Sequence, residues 1–146
     1  MSRTFLWPQG YTSAAMISVN LDAEFYGRIF YPGIDVSEGD IQRLGWTGME
    51  YGLPHLLDCF REHGVKGTFF IPGRVAELYP DAVRAIADAG HELGCHGYEH
   101  EILAHFTPEE QLELLKKAKA AIEKAAGRAV TGFRMPEGEI TEQTLV

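Results

Sequence analysis

His96 and His100 stand four residues apart in Gly94-Cys95-His96-Gly97-Tyr98-Glu99-His100-Glu101. Neutral imidazole is the commonest metal ligand in proteins, so a histidine pair at this spacing is half of a candidate divalent-metal site. The same spacing also occurs on ordinary solvated helices, and the octapeptide by itself leaves both readings open. A third donor is needed to separate them. Asp22, in Asn20-Leu21-Asp22-Ala23-Glu24, offers a carboxylate. One carboxylate and two imidazoles suit a divalent ion that keeps positions open for water and substrate. Such an ion brings the pKa of bound water down toward about 7 and polarises a carbonyl, which is the chemistry of amide or ester hydrolysis. The zincin pattern is excluded, because it needs glutamate directly after the first histidine and Gly97 is there.

These side chains can cooperate only if the fold gathers them. Residues 14–21 form a short apolar run with β-branched members and read as a buried strand. Residues 24–48 then carry Phe25, Tyr26, Phe30, Tyr31, Trp46, Pro32 and five glycines. They read as a long loop of the kind that forms lids or binding loops, its aromatics either lining a cleft or covering a sheet end. Leu53, Leu56, Leu57 and Phe60 make a helical stripe over 49–63, with Gly64 placed to cap it. A second strand is expected over 65–71, stopped by Pro72-Gly73. A helical stretch over 75–89, interrupted near Pro80 and stopped by Gly90, leads to a short strand at 92–95. Thr107-Pro108-Glu109-Glu110 is a capping box with proline in the first turn, and Gly127 ends that helix. Its acidic start and Lys116, Lys117, Lys119 and Lys124 toward its end complement the helix dipole. A last strand is expected over 129–133.

Strands alternating with helices imply an α/β fold with a parallel sheet, open or closed into a barrel. Chemistry in such folds gathers at the carboxyl ends of the strands. Those ends carry Asn20 and Asp22, then His96 and His100, then Arg134. Surface charges scattered at random need not respect strand ends, so the pattern favours a metal site over a solvated helix.

Composition bounds the partners. A chain of 146 residues can build one domain with a real core. Its net charge of −8, with lysines clustered on one helix, argues against a nucleic-acid surface. Cys59 and Cys95 read as free thiols of a reducing compartment. No signal-like start is visible in residues 1–10 and no apolar run has membrane-spanning length, so a cytoplasmic protein without a membrane partner is expected. Homo-oligomerisation stays open. His91 reads as structural, His55, His63 and His105 as surface residues, and Glu99 and Glu101 as solvated.

His96-Gly97-Tyr98-Glu99-His100, the early Asn20-Leu21-Asp22-Ala23-Glu24 and the late Gly132-Phe133-Arg134-Met135-Pro136 together resemble the motifs of the polysaccharide deacetylase family, also called NodB-homology or carbohydrate esterase. The resemblance spans residues 14–138. It implies that residues 1–146 form a single domain, the N-terminal part of a distorted (β/α)7-type barrel and an incomplete catalytic domain. It also implies a metal-dependent hydrolase of carbon–nitrogen bonds other than peptide bonds, with Zn²⁺ as the ion and N-acetyl amino sugars of a glycan as substrate. Relatives without signal peptides add two alternatives: an allantoinase- or imidase-like hydrolase of small cyclic amides, and a non-catalytic member. By this resemblance Asp22, His96 and His100 are the metal ligands and Arg134 orients the base. In the register that aligns best Asn20 occupies the place of the base carboxylate, where a neutral amide cannot take a proton; the other register makes Asp22 the base and Ala23 a missing ligand, and in either Glu24 is the nearest substitute. The family's general-acid histidine belongs to a motif expected beyond Val146.

Overall fold

The computed structural model describes residues 8, 10–26, 37–139 and 142–145. Four short strands form its frame: β1 (Ser18–Asn20), β2 (Thr68–Ile71), β3 (Glu92–Cys95) and β4 (Gly132–Phe133). All pair in parallel in the order β1-β2-β3-β4, with Asn20 beside Phe70, Phe70 beside Gly94 and Gly94 beside Gly132. The helices are α1 (Glu38–Thr47), α2 (Leu53–Glu62), α3 (Gly73–Leu78), α4 (Pro80–Asp88) and α5 (Pro108–Ala126). This is the α/β arrangement with a parallel sheet that the alternation of elements implies.

Side chains alternate across a strand, so each strand has two different faces. Val19, Phe69, Ile71, Leu93 and Cys95 turn toward the helices and join a core with Phe60 of α2, Val83 and Ile86 of α4, and Ala118 and Ile122 of α5. The opposite face carries Ser18, Asn20, Phe70 and Glu92, none of them fully buried. His91 enters the core as a structural residue. Its Nδ1 accepts the Gly67 N–H at 3.1 Å, and its ring packs against Phe60 and Phe69.

The stretch 24–48 departs from the expected loop. Ala23–Phe25 form a 3-10 turn, and Ser37 caps α1 by accepting the Asp40 N–H. α1 then runs through a π-helical turn, Gly48–Gly52, into α2. Gly45 shows why its glycines were misleading. A Cβ there would lie 2.4 Å from the Glu24 backbone nitrogen, so this glycine permits close packing of a helix rather than a turn. Phe30, Tyr31 and Pro32 lie outside the described residues. β1, β2 and β4 are also shorter than expected, and Met16 and Ile17 are exposed just before β1. In contrast, β3 spans 92–95 as read, the α3–α4 break falls at Tyr79 beside Pro80, and α5 has its full capping box.

Gly73 begins α3 under a second tight contact. A Cβ there would meet the Ala118 Cα of α5 at 2.5 Å and the Tyr98 ring at 2.8 Å. Both neighbours are held in place, so Gly73→Ala must push α3 off α5 and is expected to destabilise the fold by about 1–3 kcal/mol. Thr107→Ala, which removes only the α5 cap, is expected to cost about 1 kcal/mol. Urea unfolding of the two variants checks the magnitudes and their order.

Candidate metal centre

The site is built at the carboxyl edge of the sheet. β3 ends at Cys95, and the His96 N–H donates to the Ile71 carbonyl at 3.0 Å, continuing the pairing with β2 by one residue. The chain then turns through Gly97 (φ 73°). Glu101 folds back, accepting the Tyr98 N–H at 2.8 Å and also the Glu99 N–H. Its expected solvated role is therefore replaced by a structural one. The start of α3 holds the turn from the other side, with Gly73 N–H donating to the Gly97 carbonyl and Arg74 N–H to the Tyr98 carbonyl. Tyr98 is buried, donates its hydroxyl to Glu77 and lies under the Lys117 ammonium. The histidine pair thus meets across a braced loop, with ring centroids 4.9 Å apart.

His96 has a determined tautomer. Its Nδ1 lies 2.8 Å from the Arg134 carbonyl, and a carbonyl only accepts, so Nδ1 carries the hydrogen. That leaves the Nε2 lone pair pointing inward, 3.7 Å from Asp22 Oδ1. His100 Nε2 stands 3.8 Å from Asp22 Oδ2 and 4.0 Å from Glu137 Oε1. Asp22, His96 and His100 can each offer one ligand atom, all within 4.8 Å of one another.

All three residues are buried, with relative exposures of 7%, 1% and 2%. Asp22 Oδ1, His96 Nε2 and His100 Nδ1 have no hydrogen-bond partner. A buried polar atom left unpaired costs about 1–3 kcal/mol. Burial pushes the Asp22 carboxyl up to about 6, and the Glu137 charge adds to the shift. Burial also pushes both imidazoles below their ordinary value. One anionic carboxylate and two neutral imidazoles make a donor set that fits a divalent cation.

Asn20 and Arg134 form a separate pair beside this group. The Arg134 guanidinium crosses the Phe70 ring at 4.0 Å and donates to Asn20 Oδ1 and Ser18 Oγ, each at 2.8 Å. Glu24 is not brought to the cluster. Its carboxylate accepts the Tyr79 hydroxyl at 3.2 Å. Glu137 was missed from the sequence, one residue beyond the late motif. An acidic residue between Pro136 and Gly138, just past a strand end, was the available signal.

The sequence model of the family described as polysaccharide deacetylase matches residues 45–146. The chain belongs to the polysaccharide deacetylase family. It is 37% identical over 114 residues to the peptidoglycan deacetylase of Helicobacter pylori, covering 78% of this chain and 38% of that protein. A crystal structure from Mycobacterium smegmatis assigned to the polysaccharide deacetylases superposes with a TM-score of 0.82 at 32% identity, over 97% of this chain and 49% of the other. A CE4 family pseudoenzyme from Bacillus anthracis superposes with a TM-score of 0.63 at 33% identity, over 66% of this chain and 34% of the other. The chain therefore spans between about a third and a half of the length of these relatives. The four-stranded sheet is part of the polysaccharide deacetylase fold.

The titration of this buried three-residue group has a definite sign. Asp22 is raised, so the stability it contributes is present at acid pH and lost as pH rises through about 6. The two histidines are lowered, so theirs is present above about 6.5 and lost as pH falls through their folded values. At neutral pH the cation-free fold therefore carries a buried, unpaired carboxylate, which a divalent ion would offset. Zn²⁺ or Co²⁺ is expected to raise the melting temperature clearly at pH 7.5 and far less at pH 5.5, where protons compete for Asp22. Thermal melts with and without the ion at the two pH values check this.

Proposed function

We propose that this chain carries the metal-holding half of a Zn²⁺-dependent hydrolase that removes acetyl groups from the amino sugars of a peptidoglycan-type glycan. Three buried donors without partners, gathered from two strand ends, carry the reading. Two histidines and one aspartate leave room for substrate, which suits Zn²⁺ in a hydrolytic site. A relative named peptidoglycan deacetylase, 37% identical, supports the substrate class. When bound, the ion supplies Lewis acidity: it polarises the amide carbonyl and activates water near neutral pH. Hydrolysis breaks the C–N bond, forms a C–O bond to acetate, and leaves the amine with a proton.

The chain's own residues divide this work. Asp22, His96 and His100 hold the cation, and the Arg134 carbonyl keeps His96 oriented through Nδ1. Arg134 fixes Asn20 by donating to its side-chain oxygen. Asn20 can position a polar group but cannot take up a proton, so the base has to come from elsewhere. Glu24 could serve only after leaving Tyr79.

Asn20 also favours a second reading, a member of the family that binds without turning over. The Bacillus anthracis pseudoenzyme shows that such members exist, and a mutant of it has restored enzymatic activity.

His96→Ala is expected to abolish stoichiometric divalent metal in the purified protein and to bring acetate release from N-acetylglucosamine oligomers to background. A wild-type protein without bound ion, and with affinity unchanged by His96→Ala, would defeat the metal reading. Ring opening of cyclic ureides without acetate release would reassign the substrate to small cyclic amides. Activity gained only in Asn20→Asp would establish the non-catalytic reading. Loss of wild-type activity in Glu24→Gln would make Glu24 the base.

A further inference from the structure

The rim holds a carboxylate that the motif reading did not include. Glu137 sits in the 3-10 turn Pro136–Gly138, directly after β4. That turn is fixed relative to the histidines, because the Arg134 N–H donates to the Cys95 carbonyl and the Arg134 carbonyl accepts from His96. Glu137 Oε1 lies 4.0 Å from His100 Nε2; the residue as a whole is exposed, while its side chain, turned to the imidazole, is 22% exposed. Among the described residues, Asp22 and Glu137 are the carboxylates within 4.0 Å of either imidazole, and no lysine or arginine stands that close to Glu137.

The backbone makes this placement unusual. Glu137 has φ 57°, in the left-handed region where a side chain is strained and glycine is not. The other two non-glycine residues with positive φ among the described residues are Ala23, next to Asp22, and His100 itself (φ 47° and 61°). Strain of this kind collects at functional sites, where the surrounding structure holds it in place. A glycine at 137 would relax the turn, so retaining a glutamate there argues that its carboxylate is used.

Charge gives the use. With neutral imidazoles, Asp22 and Glu137 bring two negative charges to one cluster, in which the buried Asp22 Oδ1 and His96 Nε2 lack hydrogen-bond partners and His100 Nε2 faces both carboxylates. A divalent cation balances those charges. We propose that Glu137 is the second carboxylate of the cation site, facing the ion gripped by Asp22, His96 and His100 from just outside that trio. The inference rests on the divalent-cation reading above.

Affinity for Zn²⁺ and Co²⁺, measured by chelator competition with no turnover involved, tests it. Glu137→Gln is expected to weaken binding by about 10–100-fold, the range for residues that support metal ligands from outside. Glu137→Gly is expected to weaken it equally while melting at or above the wild-type temperature without metal, since glycine suits the backbone there. Glu139→Gln, at an exposed neighbouring carboxylate, is expected to bind within about twofold of wild type. Wild-type affinity in both Glu137 variants, with His96→Ala binding lost, would overturn the role of Glu137 and leave the three-residue site standing. Wild-type affinity in His96→Ala as well would overturn both.

Discussion

The burial of three polar atoms without partners, Asp22 Oδ1, His96 Nε2 and His100 Nδ1, is the constraint to which the rest of the rim answers. Hydrophobic packing does not produce such a group, because each orphaned atom weighs against folding. It persists because its supports are well satisfied. The His96 Nδ1–H is held by the Arg134 carbonyl, the turn after His96 is capped by Glu101, and α3 donates two backbone N–H groups to that turn. Asp22 Oδ1 and His96 Nε2 stand 3.7 Å apart, while their surroundings are bonded.

Close packing carries the same constraint outward. Gly45 lets α1 press against the backbone of the turn that follows Asp22, and Gly73 lets α3 sit on α5 and on Tyr98. These contacts set the positions of Asp22 and of the histidine loop from opposite sides of the sheet edge. Ala23, His100 and Glu137 absorb the remaining mismatch as left-handed backbone. Strained residues beside buried unpaired donors mark a place where fold stability is given up for binding.

Asn20 belongs to a second polar contact, apart from the three buried donors. The Arg134 guanidinium lies over Phe70 and reaches across the open face of the sheet to Asn20 and Ser18. A carboxylate at position 20 would turn that contact into an ion pair beside the three buried donors. The amide keeps the hydrogen bond and leaves out the charge. The buried donor trio and the Arg134–Asn20 contact are thus separate features of this chain.

Much of the frame was legible in the sequence because it is written in local chemistry. The capping box of α5, Gly64 and Gly127 as stops, the break near Pro80 and the strand at 92–95 all rest on residues close in sequence. The three motifs in order gave the family, and strand ends placed Asp22, His96 and His100 on one rim. What the sequence could not supply depends on distant partners. Gly39, Gly45 and Gly48 made α1 read as loop, since only the packing of Gly45 on the Glu24 backbone shows why a helix contains it. Glu24 and Asn20 are two steps on either side of Asp22, yet Tyr79 takes one and Arg134 the other. Glu137 is near no histidine in sequence and within 4.0 Å of His100 in space. The sequence alone determined which donors are available and on which edge they stand. Tertiary structure decided which of them share one buried cluster, because distance and desolvation arise only when β2 joins β1 to β3 and β4 pairs with β3.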